Sequence, residues 1–269
     1  MRVHFTKMHG LGNDFIVLDA RDKALPVLSG ETIRALSDRT LGIGCDQFII
    51  LEPHTEATVR MRIFNADGGE VEACGNAARA IGLLLGETAT IATAGGLITT
   101  TPQLGGIAVD MGEPRFEWDA IPLAYPMDTA AMPVGWDLLE KPLAVNVGNP
   151  HVIFFVEDCN AVPLDALGPQ IETDPLFPER INVNVASVVD RKALRLRVWE
   201  RGVGLTRACG TGACATAVAA MRRGLVEREV IVHLPGGPLT IAWGEDNRIT
   251  MTGPATESFR GSFELDEYA

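Results

Sequence analysis

ACGNAARA at residues 73–80 and ACGTGACA at residues 208–215 set the same Ala-Cys-Gly triplet before a run of small residues, 135 positions apart. The match extends upstream. TVRMRIFNADGGEVEACG, residues 58–75, aligns without a gap on ALRLRVWERGVGLTRACG, residues 193–210, pairing Arg60 with Arg195, Arg62 with Arg197 and Phe64 with Trp199. Further back, GNDFIVL from Gly12 matches GNPHVIFF from Gly148, and both enter apolar runs suited to strands. Downstream, ATIATAGGLIT falls on VIVHLPGGPLT when the Gly pairs 95–96 and 236–237 are superposed, so the second copy has gained about six residues after its helix. A repeat this long predicts two similar domains in one chain.

Each copy has the order strand, helix, strand, strand, a loop ending in Ala-Cys-Gly, helix, then strands separated by Gly-rich turns. SGETIRALSDRT, residues 29–40, carries a Ser cap, helical spacing of Ile33 and Leu36, and Gly42 just past its end. Its counterpart falls near PLDALGPQIE. The helices after the two cysteines have few polar residues on any side, which predicts burial. A strand-rich domain encloses such a helix by rolling its sheet around it. The predicted fold is therefore α+β: two pseudosymmetric domains, each a mixed, mainly antiparallel sheet rolled around a central helix. Four prolines in residues 118–143 interrupt regular structure and put the boundary near residue 117. Residues 1–117 form the first predicted domain, with the tail 256–269 packing back on it, and 118–255 form the second.

Composition excludes several classes. The 269 residues are 46% hydrophobic and 22% charged, ordinary for a globular protein, and the formal charge of −12 opposes binding to phosphate backbones or anionic lipid. No nucleic-acid partner is expected. The uncharged stretch 88–109 is rich in Thr and Gly and contains Pro, which suits strands better than a membrane helix, and the amino terminus lacks a secretory apolar run. A cytoplasmic location without membrane contact is the expectation. Five cysteines, at 45, 74, 159, 209 and 214, include no CxxC pair, which opposes a disulfide framework or zinc site. Cys45, Cys159 and Cys214 suit small buried positions.

Cys74 and Cys209 differ because each stands at a helix start. The first N–H groups of a helix have no internal partners and favour anions, and the first turns here, C-G-N-A-A-R and C-G-T-G-A-C, contain no acid. Those ends are open to a substrate carboxylate, and the same field favours thiolate over thiol. Two pseudosymmetric domains facing one another would bring both sulfurs to one cleft. One sulfur would then take a proton from an amino-acid Cα while the other delivers one to the opposite face. The helix ends would stabilise the carbanion without a metal or a pyridoxal cofactor.

Taken together, KMHGLGNDF, GCDQ, FNADGGEVEACGN, VGNPH, ERINVN and ERGVGLTRACGTGACA cover almost the full length, and with them the chain resembles the diaminopimelate epimerases. The resemblance implies a cofactor-independent interconversion of LL- and meso-diaminopimelate by a homodimer of two-domain subunits, in the route to lysine and peptidoglycan precursors. Carried over by motif, Cys74 and Cys209 are catalytic, and Gly75, Asn76, Gly210 and Thr211 hold the reacting carboxylate. Asn13 and Gln47 line the site. Asn65, Asn149, Asn182, Glu200 and Arg201 bind the distal amino-acid end, with Arg201 suited to its carboxylate and Glu200 to its ammonium. His151 and Glu200 lie where the family tunes thiol ionisation. Ala77 and Ala80 stand where Gly and Cys are frequent in the family, and neither removes a polar side chain of the site.

Two other readings compete. A racemase of another amino acid on the same fold would leave Asn65, Asn182, Glu200 and Arg201 poorly paired. A non-enzymatic thiol-disulfide switch would be expected to show CxxC or a Cys/His cluster, and the chain has neither.

Overall fold

A computed structural model describes residues 1–72 and 74–268. Ala73, which opens the first repeated triplet, and Ala269, at the end of the predicted tail, lie outside the described residues. The chain divides into two compact units: Met1–Val109 with Gly253–Ala269, and Asp110–Thr252. The first division thus falls ahead of residue 117. Arg115 exchanges backbone hydrogen bonds with Asn146 at 2.8 and 2.9 Å, which ties the intervening segment to the second unit.

The first unit contains β1 (Arg2–Gly10), β2 (Asn13–Asp19), α1 (Gly30–Ser37), β3 (Gln47–Glu52), β4 (Val59–Asn65), β5 (Glu70–Val71), α2 (Gly75–Leu85), β6 (Ala89–Thr93), β7 (Gly96–Gln103) and β8 (Gly106–Asp110). In the second lie a small ribbon of β9 (Gly135–Trp136) and β10 (Leu139–Glu140), then β11 (Leu143–Asn146), β12 (Pro150–Phe155), α3 (Leu164–Glu172), β13 (Asn182–Asp190), β14 (Ala193–Glu200), β15 (Gly204–Thr206), α4 (Gly210–Arg222), β16 (Glu229–Leu234), β17 (Gly237–Trp243) and β18 (Ile249–Gly253). Finally β19 (Thr256–Glu264) returns to pair antiparallel with β1, from Arg2 opposite Glu264 to His9 opposite Thr256.

Hydrogen-bond register repeats between the units. Strands in the first run β8-β7-β6-β4-β3-β2-β1-β19, and in the second β18-β17-β16-β14-β13-β12-β11. In each, the strand pairs corresponding to β2/β3 and β4/β6 are parallel and the others antiparallel. Phe48 faces Phe64 as Val183 faces Trp199, and Ile63 faces Val71 as Val198 faces Thr206. Past the inserted residues, Ile91 faces Ile98 as Val232 faces Leu239. The repeat in the sequence is a repeat of strand pairing.

Consecutive residues on β2 (Phe15–Leu18) and β3 (Phe48–Leu51) are buried, a pattern for strands covered on both faces. On one face α1 lays Ile33 and Leu36 against Ile16, Leu18, Phe48, Ile50 and Phe64. Its cap is Ser29, whose hydroxyl accepts the Thr32 amide at 3.0 Å. The other helix, α2, contacts β1, β6, β7 and β19. Close approach is built in at Gly82, where a Cβ would stand 2.7 Å from Ile107 Cγ2 and 2.9 Å from Thr100 Cβ. In the second unit α4 is buried almost from end to end and meets β11, β12, β13, β14, β16 and β17. There α3 covers the opposite face, with Gly168 against the indole of Trp199.

Candidate active site

Both cysteines are the N-caps of the central helices. Cys74 precedes α2 with φ −148° and ψ 115°, and Cys209 precedes α4 with φ −121° and ψ 106°. Neither first turn contains an acid. The repeated Cys-Gly therefore does the same thing twice: it delivers a sulfur to the positive end of a buried helix.

In the first unit the supporting residues come from three turns. Asn13 opens β2 directly after the tight turn that joins it to β1, where Leu11 and Gly12 have φ of 56° and 94°. Its Oδ1 accepts from Asn76 Nδ2 at 3.1 Å and from the Cys74 thiol at 3.8 Å. Gln47 and Asn65 face one another across β3 and β4, with Gln47 Nε2 donating to Asn65 Oδ1 at 3.2 Å. Gln47 Oε1 is buried without a hydrogen-bond partner among the described residues, an acceptor suited to a substrate donor. Behind Asn13 lies an ion cluster: Asp14 with Lys7 at 2.6 Å and Arg39 at 2.6 Å, and Asp46 with Arg39 at 2.7 Å. Burial pulls the Asp14 carboxyl upward, but Arg39 and Lys7 bring it down to about 2.

In the second unit the sulfur of Cys209 accepts from the Gly212 amide at 3.4 Å and lies 3.6 Å from the Thr211 hydroxyl. The helix end alone predicts a thiol shifted toward thiolate, yet here the shift is upward. Complete burial is the largest cause and the neighbouring Glu200 carboxyl the next, and together they outweigh Thr211 and the Gly212 amide. Cys209 is a thiol at neutral pH. Glu200 is itself pushed up by burial, against hydrogen bonds from Thr206 and Cys209.

His151 is wholly enclosed. Asn149 Oδ1 lies 2.9 Å from its Nε2, and the Asn184 amide faces Nδ1 with Nδ2 at 3.2 Å and Oδ1 at 3.4 Å. Burial lowers its pKa to about 3. The ring is neutral. Asn182 donates to the Pro150 carbonyl at 2.8 Å and accepts the Arg201 amide at 2.9 Å, while the Arg201 guanidinium reaches the Glu179 carbonyl at 2.9 Å.

Within each unit some of the residues singled out from sequence thus meet at a helix start, and Gln47–Asn65 and Asn182–Arg201 form linked pairs of their own. Asn13, Cys74 and Asn76 are linked in the first, with the Gln47–Asn65 pair nearby in register. Asn149 and His151 are linked in the second, as are Glu200, Cys209 and Thr211. Sequence reasoning missed Asn184, which is fully buried and whose Nδ2 lies 3.3 Å from Gly212 O and 3.2 Å from Thr216 Oγ1. A polar residue between two buried valines in INVNV was the available signal. Arg79 was missed too: it is wholly buried and donates to Asn76 Oδ1 at 2.9 Å. Among the described residues no three His, Cys, Asp or Glu side chains are grouped to hold a metal, and no helix is long and apolar enough to cross a membrane.

A duplicated α+β roll with a buried central helix is shared with solved amino-acid epimerases and their structural kin. A hydroxyproline epimerase from Agrobacterium vitis matches 98% of this chain and 93% of its own with a TM-score of 0.68 at 14% identity. A phenazine biosynthesis protein of the PhzF family from Enterococcus faecalis matches 98% of this chain and 100% of its own with a TM-score of 0.72 at 14% identity. At the level of sequence, the model of the diaminopimelate epimerase family matches residues 5–117 and 143–257. A diaminopimelate epimerase from Erythrobacter litoralis is 68% identical over 269 residues, covering 100% of both chains. The chain belongs to the diaminopimelate epimerase family.

Proposed function

We propose that this protein interconverts LL- and meso-diaminopimelate by moving one proton off and one proton onto the same Cα, with Cys74 and Cys209 as the two acid–base groups. The observation that carries this reading is the duplicated Cys-Gly cap: two sulfurs, each beside a helix end with no acid of its own. Cys209, held as a thiol by burial and Glu200, is the proton donor in one direction. In the other direction its thiolate is received by the Gly212 amide and the Thr211 hydroxyl. As Cα–H breaks, its electron pair spreads onto the carboxylate, where the amides at Gly75, Asn76, Gly210 and Thr211 stabilise it. A pyridoxal cofactor is not needed for that step.

Asn13, Gln47, Asn65, Asn149, Asn182, Glu200 and Arg201 would bind the rest of the substrate, Gln47 Oε1 supplying an acceptor for an ammonium. His151, neutral and hydrogen-bonded on both ring nitrogens, would support the second half-site. The working form is a cytoplasmic homodimer supplying lysine and peptidoglycan precursors. LL-Diaminopimelate in deuterated water, with no added cofactor, should give meso product carrying deuterium at Cα, and Cys74→Ala or Cys209→Ala should each abolish it. Absence of deuterium from product formed by the wild type would refute the mechanism.

A further inference from the structure

A row of side-chain hydrogen bonds in the first unit has a charged group at each end. Arg79 donates from Nη2 to Asn76 Oδ1 at 2.9 Å, Asn76 from Nδ2 to Asn13 Oδ1 at 3.1 Å, and Asn13 from Nδ2 to Asp46 Oδ2 at 3.2 Å. Cys74 meets this row at Asn13 Oδ1, 3.8 Å from Sγ. An asparagine amide has an oxygen end and a nitrogen end, and either can face a neighbour that both donates and accepts. A guanidinium only donates and a carboxylate only accepts. Starting from Arg79, Asn76 must present oxygen to it and nitrogen to Asn13. Starting from Asp46, Asn13 must present nitrogen to it and oxygen to Asn76 and Cys74. Both ends dictate the same orientation.

Asp46 is itself anchored. It accepts the Asp14 amide at 3.1 Å and pairs with Arg39 at 2.7 Å. Arg79 is anchored by enclosure and by its Nε contact to the Pro254 carbonyl at 3.4 Å. Of the charged and titratable groups on the elements that meet here, β1 carries Arg2, His4, Lys7 and His9, β2 carries Asp14 and Asp19, β19 carries Glu257, Arg260 and Glu264, and α2 carries Arg79; Arg39 and Asp46 stand before β3, Glu72 precedes Cys74, and β6 and β7 carry none. Lys7 is taken up by Asp14, and Arg39 by Asp14 and Asp46.

We propose that Arg79 and Asp46 are positioning residues for Cys74: as the donor-only and acceptor-only ends of this row, they lock Asn13 with its oxygen toward the sulfur. The role of Cys74 as an acid–base group rests on the function proposed above. An oxygen facing the sulfur holds the S–H proton in a defined place and opposes thiolate. An amide NH2 in its place would favour thiolate.

The test is the pH dependence of Cys74 alkylation by iodoacetamide in the full chain, read on its peptide by mass spectrometry. Arg79→Gln and Asp46→Asn each replace a one-way end by a reversible amide. Either variant alone keeps one end that dictates the same orientation, so its onset should stay at the wild-type value; the double variant has no one-way end, and its onset should move to lower pH. A one-unit move makes alkylation at pH 7 about tenfold faster. The double variant Arg79→Lys/Asp46→Glu, which keeps donor-only and acceptor-only ends, should keep the wild-type profile. A pure charge effect has a different signature: losing Arg79 alone would move the onset up, losing Asp46 alone would move it down, and the two would offset in the double variant. Should the variants of Arg79 fail to fold, Asp46→Asn is measured alone: a wild-type onset supports a row still fixed by Arg79, and an onset moved to lower pH is the charge effect and overturns the proposal. Opposite shifts in the single variants, or an unchanged profile in the double variant, would overturn it too. Alkylation needs no substrate, so this outcome is separate from the deuterium assay.

Discussion

His151 stays neutral because water cannot reach the ring and both nitrogens already have partners. Its pKa is about 3 in the folded protein against an ordinary value of 6.5, so between these limits the unfolded chain binds the extra proton. Stability is therefore fully present above pH 6.5 and falls as pH drops toward 3, by about 1.4 kcal/mol per pH unit through the window. Asp14 acts in the same sense only lower, between 3.8 and about 2. Glu200, pushed up, acts in the opposite sense above 4.5. Urea unfolding of wild type and His151→Gln at pH 7, 6, 5 and 4 isolates the histidine. The wild type should lose stability relative to the variant at each step down, and parallel curves would contradict a buried neutral ring.

The start of α4 shows how an element converts a residue type into chemistry. A Cβ on Gly212 would stand 3.0 Å from Val198 Cγ2, 3.2 Å from Cys209 Sγ and 3.3 Å from Asn184 Oδ1. Glycine there lets an amide approach the sulfur with nothing between. In Gly212→Ala the gain in helix propensity, about 1 kcal/mol, offsets the crowding, so thermal stability should change little. Turnover should fall by tenfold or more while KM stays close to wild type, as Sγ is pushed off its amide. Steady-state kinetics beside a thermal melt checks this; a lost fold with normal specific activity in the residual protein would reverse the assignment.

At the scale of the molecule, the chain closes its first unit with its last strand. β19 pairs with β1 along nearly its whole length, Phe263 and Leu265 enter the core under α1, and Pro254 offers its carbonyl to Arg79. Each of those two buried side chains contributes about 1.5–3 kcal/mol. Ending the chain after Gly253 should remove amide-exchange protection from β1 and α2 while β13 and β14 of the second unit keep theirs. Uniform loss across both units would show that the two do not fold as separate bodies.

Much was legible in the repeat itself, because strand register copies sequence spacing: the offsets that align Phe64 with Trp199 and the two Gly-Gly turns are the offsets at which strands pair. The acid-free Cys-Gly caps were legible for the same reason, since capping is decided within a few residues. What sequence spacing did not carry was the electrostatic balance at the Cys209 cap. A helix end favours thiolate, but burial of Cys209 against Glu200 reverses the direction, and burial is a property of the packed unit. Nor did it carry the partners of Asn184 or Arg79, whose hydrogen bonds reach residues brought near only by folding. Local chemistry is written along the chain; the ionisation of a buried group depends on everything that surrounds it, and only the tertiary structure decides that.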